Sequence, residues 1–178
     1  DARRSYERIV ACQRELADLM LCETMSTVQE ACIAAEAALA SGLPVWVALT
    51  IEDRSNDPSV PRLRGGETLQ RAIGTLEALG IDALLLNCSS PEAITDALPV
   101  LSSTSLPFGA YANAFRSIAD LLPGGTVDAL QGRHDLGPVE YANVAVGWHQ
   151  AGARLIGGCC ETTPAHVAEL GSRLRSGS

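Results

Sequence analysis

Short apolar runs recur along the chain at 19–22, 45–50, 83–88, 107–111 and 153–157, separated by longer segments of mixed polarity. Runs of this length bounded by turn residues predict buried strands. The segments between them carry helical spacing. In residues 1–17, Tyr6, Ile9, Val10 and Leu16 are interleaved with Arg and Glu, which predicts an opening helix. Thr27-Val28-Gln29-Glu30 is a capping box, and the helix behind it runs through Cys32, Ile33, Ala37 and Leu39 to a stop at Ser41-Gly42. A third helix starts near Gly66 and passes Leu69, Ile73, Leu76 and Leu79 before Gly80. Pro91 stands in a first helical turn, where its missing N–H costs nothing, and the fourth helix covers 93–101. Pro138 opens a fifth through Tyr141, Val144, Ala145 and Trp148, and Thr163 caps a sixth that ends at Leu174. Two irregular stretches remain. Residues 51–65 form a polar loop with Glu52, Asp53 and Asp57. Residues 114–137 contain Pro123-Gly124-Gly125 and Gly132-Arg133-His134-Asp135, a length that in compact domains is usually functional or mobile.

One helix followed by five strand–helix units predicts an α/β chain with a parallel sheet and right-handed crossovers. Its 178 residues fit a single domain over 1–178. The closed-barrel form of this architecture has eight such units and rarely fewer than about 200 residues. Five units therefore imply either an incomplete (β/α)8 barrel of the TIM type or an open, doubly wound sheet. No GxGxxG follows a strand, which argues against a dinucleotide site.

Composition narrows the chemistry. Hydrophobic residues make up 47% and aromatics 4%, so the core is aliphatic. A net charge of -8 argues against nucleic acid as a partner, because phosphate binding needs a basic face. No apolar run reaches the length of a membrane span, and the N-terminus carries no signal- or transit-peptide pattern, so the expected location is cytoplasmic. Six cysteines could suit a secreted disulfide scaffold, but such scaffolds are small and loop-rich. Free thiols in a reducing compartment fit this periodic chain better. Lysine is absent; all 13 basic residues are Arg. That excludes a Schiff-base lysine, a pyridoxal-phosphate anchor and a P-loop.

In parallel α/β folds, chemistry gathers at the carboxyl ends of strands. There this chain places Glu23-Thr24, Thr50, Asn87-Cys88, Tyr111 with Asn113, and Cys159-Cys160. Three cysteines at the ends of two strands can bind zinc as thiolates and leave a fourth, catalytic position open. Adjacent cysteines in an extended strand would point to opposite faces, so the backbone must turn, and Gly157-Gly158 permits a turn. A substrate thiol entering the open position would lose its proton. The alternative reading of Cys159-Cys160 is two small buried residues, and Cys12, Cys22 and Cys32 read as packing residues. Glu23 could hold a substrate ammonium group or be a solvated carboxylate. Asn87 could orient a ligand or form a turn. His166 reads as a surface or capping residue with a possible supporting role at the site, and His149 as structural; His134 has no partner identifiable from sequence. The acidic loop could attract a cationic donor, though a solvated charge run is the plainer reading. A thiol-redox role for Cys159-Cys160 is weak, because vicinal cysteines make a strained disulfide and no Cys-x-x-Cys is present.

Together, Gly157-Gly158-Cys159-Cys160 with Thr163-Pro164 and His166, Asn87-Cys88, Glu23-Thr24 and Tyr111-x-Asn113 resemble the homocysteine S-methyltransferase family, in the right order over essentially the whole chain. The resemblance implies a (β/α)8 barrel in which this chain supplies strands four to eight. It implies zinc on Cys88, Cys159 and Cys160, Glu23 at the homocysteine amino group, and Thr24, Asn87, Tyr111 and Asn113 around the substrate. The implied reaction moves a methyl group from S-methylmethionine, S-adenosylmethionine, betaine or a methylated folate to homocysteine, giving methionine. Two departures stand out. Glu161 occupies a mouth position where many relatives have Gly or Arg. The Asp-Gly-Gly strand and two further strands of the family are not matched, so the domain is expected to be incomplete at its N-terminus. A five-stranded piece leaves two sheet edges and an open core. That fits a shortened chain, a natural fragment, or a homo-oligomer that completes the barrel, the last being the expectation here. A non-catalytic zinc- or thiol-binding module is the alternative function.

Overall fold

The computed structural model describes residues 1–53, 57, 59–116, 126, 128 and 130–176. Within them the helices are α1 (Ala2–Gln13), α2 (Val28–Leu39), α3 (Leu69–Leu79), α4 (Pro91–Leu101), α5 (Pro138–Gln150) and α6 (Pro164–Ser176). The strands are β1 (Met20–Met25), β2 (Val45–Leu49), β3 (Ala83–Asn87), β4 (Phe108–Tyr111) and β5 (Leu155–Ile156). All neighbouring strands pair in parallel, in the spatial order β1-β2-β3-β4-β5. That order decides between the two architectures left open by the sequence. A doubly wound sheet reverses its strand order at a switch point, whereas a barrel wall adds each strand beside the last. Each helix likewise packs on its sequence neighbours from α1 to α6. The chain is a five-stranded stretch of barrel wall, and no closed barrel forms among the described residues.

Strand alternation sorts the side chains onto two faces. Val45, Val47 and Leu49 of β2, Leu84 and Leu86 of β3, and Ala110 of β4 join the main core under the helices. The residues between them, Ala48, Ala83 and Leu85 with Trp46, Tyr111 and Leu155, form a small second cluster on the inner face. On β1 that face is open: Leu21 is 42% exposed. The helix side of the core is aliphatic and well filled, with Leu69, Ile73, Leu76, Leu84, Leu86, Ile94 and Leu101 almost fully buried.

Local sequence explains most boundaries. Thr27 accepts the Glu30 amide at 3.1 Å as a capping box requires, and the Glu30 carboxylate reaches back one residue further than that motif, to the Ser26 amide at 3.3 Å. Gly80 ends α3 with a left-handed φ of 82°. Other boundaries differ from the sequence reading. The first helix stops at Gln13, and β1 extends through Glu23 and Thr24 to Met25 with a register shift between Cys22 and Met25. The third helix begins at Leu69 behind the cap Thr68 rather than near Gly66. The segment before it is partly core: Ile51 and Leu63 form an antiparallel bridge and are both buried. Strand β5 has only two paired residues. In the 114–137 stretch, Phe115 bridges Gly132, while Pro123-Gly124-Gly125 lies outside the described residues.

Candidate metal centre

Cys88 follows β3, and Cys159 and Cys160 follow β5. Among the described residues they are the one group of three metal-capable side chains, with all sulfurs within 4.8 Å of one another. Cys88 Sγ lies 4.0 Å from Cys160 Sγ, and Cys159 Sγ lies 3.9 Å from Cys160 Sγ. Zinc–sulfur bonds of about 2.3 Å at tetrahedral angles place sulfurs about 3.8 Å apart. The donor set and spacing fit zinc, with one tetrahedral position left for a substrate. All three thiols are partly buried.

Backbone conformation makes this convergence possible. Cys88 departs from the strand with φ 49°, a left-handed value uncommon for a residue with a Cβ. Its amide donates to Tyr111 O at 3.2 Å. Cys159 and Cys160 are separated by a turn rather than an extended link. Thr162 N–H reaches back to Cys159 O at 3.2 Å, the Thr162 hydroxyl donates to the same oxygen at 2.6 Å, and Glu161 takes φ 63°. The two glycines act differently from expectation. Neither has a positive φ; the turn is made by residues 159–162. A Cβ on Gly158 would overlap the Thr162 hydroxyl, so the glycine is needed for close approach. Cys159 N–H donates to Ala112 O at 3.0 Å, and Cys160 O accepts from Ala114 N–H at 2.9 Å, which ties the turn to the end of β4.

The thiols polarise one another. The neighbouring Cys88 thiol first, and the Cys160 amide after it, draw Cys159 down to about 6. Proximity to Cys159, with burial, pushes Cys88 up. Burial and the neighbouring Cys159 charge push Cys160 up.

The remaining strand-end residues surround this cluster unequally. Asn87 is fully buried, its amide donates to the Thr24 hydroxyl at 2.7 Å, and its Oδ1 has no partner. Thr24 reaches it from the β1 irregularity, with φ 61°. Tyr111 OH is buried without a hydrogen bond. Burial first, then the nearby Glu23 carboxylate and the Cys159 and Cys88 sulfurs, push its phenol well up. Glu23, Tyr111 and the thiols therefore share one mouth. Asn113 Oδ1 accepts from Phe115 N–H at 3.1 Å, and its Nδ2 is buried and unpaired. Three of the four unpaired buried side-chain atoms found among the described residues thus belong to Asn87, Tyr111 and Asn113. Buried polar groups are normally satisfied, so these three atoms stand out as open hydrogen-bonding positions near the thiols.

Several readings are corrected. Thr50 is wholly buried and pairs with Ser89 Oγ at 3.3 Å, behind the mouth. His166 is 6% exposed, not a surface residue. Its Nδ1 accepts the Thr163 amide at 3.0 Å, and Nε2 donates to Leu136 O at 3.2 Å, so the imidazole ties the start of α6 to Leu136. Asp53 is not a free charge: its carboxylate accepts the Ser90 amide at 2.6 Å, at the start of α4. Cys12 is exposed, while Cys22 is buried. His149 Nδ1 lies 3.1 Å from Ala153 O, as a structural residue would, and His134 is exposed. Three supporting residues went unread. Ser89 Oγ accepts the Ile51 amide at 3.0 Å. Tyr141 OH donates to Gly157 O at 2.8 Å and accepts Ala112 N–H at 3.0 Å. Arg64 donates to the carbonyl of Cys88. A buried Tyr whose hydroxyl needs a partner was the one available signal; Ser89 and Arg64 gave none.

A model of the homocysteine S-methyltransferase family matches residues 1–174. Homocysteine S-methyltransferase of Escherichia coli (strain K12) is 35% identical over 164 residues, which is 88% of this chain and 48% of that protein. A homocysteine S-methyltransferase of Brassica oleracea var. italica is 29% identical over 135 residues, covering 75% of this chain and 38% of that protein. The chain thus spans less than half the length of either relative. Among solved structures, the carboxyl transferase domain of Rhizobium etli pyruvate carboxylase with pyruvate and biocytin superposes with a TM-score of 0.60 at 15% identity, over 99% of this chain and 30% of that one. At that identity the likeness concerns the fold alone.

Proposed function

The chain belongs to the homocysteine S-methyltransferase family, and from that premise we propose that it carries the thiol-activating centre for methyl transfer to homocysteine, giving methionine. The observation that carries the reading is the convergence of Cys88, Cys159 and Cys160 within 4.8 Å at the mouth that Glu23 and Tyr111 share. Cys88, Cys159 and Cys160 would hold zinc. When bound, zinc supplies Lewis-acid activation of the substrate thiol at neutral pH. Glu23 offers a carboxylate for the substrate ammonium group. Thr24 fixes the Asn87 amide so that its free Oδ1 is presented as an acceptor. Tyr111 OH and Asn113 Nδ2 offer donors suited to a carboxylate. The methyl donor is a small molecule of the sulfonium, betaine or methylfolate type, and Glu161 beside the metal ligands is positioned to influence that choice.

The proposed setting is a reducing, cytoplasmic one, supported by six free cysteines. No helix among the described residues is long and apolar enough to cross a membrane, and the net charge of -8 speaks against nucleic acid. The open inner face beside Leu21 supports association that covers it, with a second copy or with further barrel strands. Residues 1–178 are read as one homocysteine-binding-type unit.

The test is zinc content per chain together with homocysteine binding and methyl transfer, for wild type, Cys159→Ser and Glu23→Gln. About one zinc per wild-type chain, lost in Cys159→Ser, with homocysteine binding weakened in Glu23→Gln, is the expected result. Zinc bound with no methyl transfer from any of these donors would favour the non-catalytic zinc- or thiol-binding module. A reduced, folded chain that takes up no zinc would overturn the metal reading.

A further inference from the structure

Cys88 is the one ligand held in a left-handed backbone outside any turn, with φ 49°. L-residues avoid this region because the Cβ crowds the following carbonyl. Left unrestrained, residue 88 would relax toward an extended or helical conformation and swing its thiol away from Cys160. Its amide side is fixed by the bond to Tyr111 O at 3.2 Å. Its carbonyl side is fixed by Arg64. The guanidinium donates through Nη2 to Cys88 O and through Nε to Ile51 O at 3.2 Å, so one planar fork joins the ends of two strands.

Arg64 is itself delivered by an anchored segment. Its amide donates to Thr50 O at 3.2 Å. Leu63 before it is fully buried, and Leu63 N–H donates to Glu67 O at 2.8 Å. Gly65 after it donates to Ser26 O at 2.8 Å, and a Cβ there would overlap the Thr27 methyl group. The strap therefore rests on the turn between β1 and α2 and leaves little freedom to the side chain between its anchors. The described ion pairs do not include Arg64; its side chain is committed to two carbonyls.

We propose that Arg64 is a positioning residue for the metal centre: it clamps the Cys88 carbonyl, holds residue 88 left-handed, and so presents the Cys88 thiol to Cys159 and Cys160. The proposal rests on the reading of those three thiols as ligands. Lysine cannot replace it fully, because an ammonium is a point donor without the fixed fork that spans both carbonyls.

Two readouts test it on Arg64→Ala and Arg64→Lys. The first is zinc affinity by competition with a chromophoric chelator, with the sulfur-to-metal absorption of the cobalt(II) form as its spectroscopic signature. Loss of a group that orients a ligand typically weakens metal binding about 10- to 100-fold. That is the expectation for Arg64→Ala, with a smaller loss for Arg64→Lys and a weaker cobalt(II) band in both. The second readout needs no metal. In a Cys159→Ser background, diamide oxidises the Cys88 and Cys160 thiols to one disulfide and is reduced to the hydrazine; peptide mapping gives the rate. The two sulfurs start 4.0 Å apart, and the Arg64 variants are expected to cross-link several-fold more slowly. If wild type binds no zinc, the metal reading fails while cross-linking still decides the clamp. Folded Arg64→Ala with wild-type cross-linking overturns the proposal. If that variant does not fold, Arg64→Lys decides: wild-type affinity and cross-linking would overturn the fork.

Discussion

Tyr141→Phe isolates one hydroxyl that holds the candidate site together. Tyr141 lies on α5, fully buried, with its ring edge-on to Trp148 and His166. Its hydroxyl accepts Ala112 N–H at 3.0 Å and gives its proton to Gly157 O at 2.8 Å. The phenylalanine ring fills the same space, so no large cavity forms. What remains is a buried Ala112 amide without a partner and a carbonyl at Gly157 that is half-buried and within reach of water. An unsatisfied buried amide costs about 1–3 kcal/mol, and the Gly157 loss adds little. A destabilisation of about 2 kcal/mol corresponds to a Tm drop of roughly 4–8 °C in a chain of this size. The effect has a second, local part. Ala112 O accepts the Cys159 amide, so loosening that peptide loosens the turn that carries the Cys159 thiol. Thermal melts with and without zinc, read by circular dichroism, measure both. The metal-free Tm should fall by several degrees, and zinc should restore less stability than it does in wild type. A fall below about 1 °C with unchanged zinc stabilisation would refute the assignment of the hydroxyl as the link between β4 and the Cys159 turn.

Other perturbations address the same construction. Gly158→Ala drives a Cβ into the Thr162 hydroxyl; overpacking of this kind costs about 1–3 kcal/mol, and zinc content per folded chain should drop. In the chelator-stripped chain, iodoacetamide should modify Cys159 with an apparent pKa near 6 rather than 9, and Cys88→Ala should move it back up, because the neighbouring thiol that lowers it is lost. The linked stability has the sign of a depressed acid: the Cys159 contribution is full above about 9 and declines as pH falls toward 6, whereas the raised Cys88 acts oppositely at alkaline pH. A modification midpoint at or above 8.5 would contradict this arrangement. Leu76→Ala on α3 removes a fully buried side chain; denaturant titration should show a loss of about 2–5 kcal/mol.

The element types were legible because strand and helix periods differ and the breakers are strong. Thr27 with Glu30, Pro91, Pro138 and Gly80 each act locally, and each holds in the structure. Failures occurred where tertiary contacts override local pattern. The 51–65 stretch looks polar, yet Ile51 and Leu63 pair across it and enter the core. Thr24 and Glu23 look like strand-terminal residues, yet β1 continues past them through a register shift created by its pairing with β2. Strand number was readable from the apolar runs; strand order was not readable from periodicity, because it depends on which crossovers share a face, and it followed only from the family resemblance, whose barrel order the sheet shows.

The candidate centre divides along the same line. The thiols, Glu23, Asn87, Tyr111 and Asn113 were visible because parallel βα units put strand-end residues on one rim whatever the details of packing. Thr24 was visible too, but its bond to Asn87, 63 positions away, was not; and the other residues that set the orientation come from elsewhere in the sequence: Arg64 is 24 positions from Cys88, and Tyr141 is 16 from Gly157. Each acts through one or two polar bonds to backbone or amide, and such bonds carry no periodicity. The geometry they impose is the demanding part. An extended strand separates Cys159 from Cys160, and an ordinary strand exit turns Cys88 away. Left-handed values at Thr24, Cys88 and Glu161 bring the groups back to one point. All three non-glycine residues with positive φ found among the described residues lie in or beside this centre. Strain of this kind persists only where surrounding contacts over-determine it, and here the contacts are the carbonyl held by Arg64, the peptides joined by Tyr141, and the hydroxyls of Thr24 and Thr162. Part of what the barrel wall fixes is thus the convergence of three sulfurs within 4.8 Å of one another.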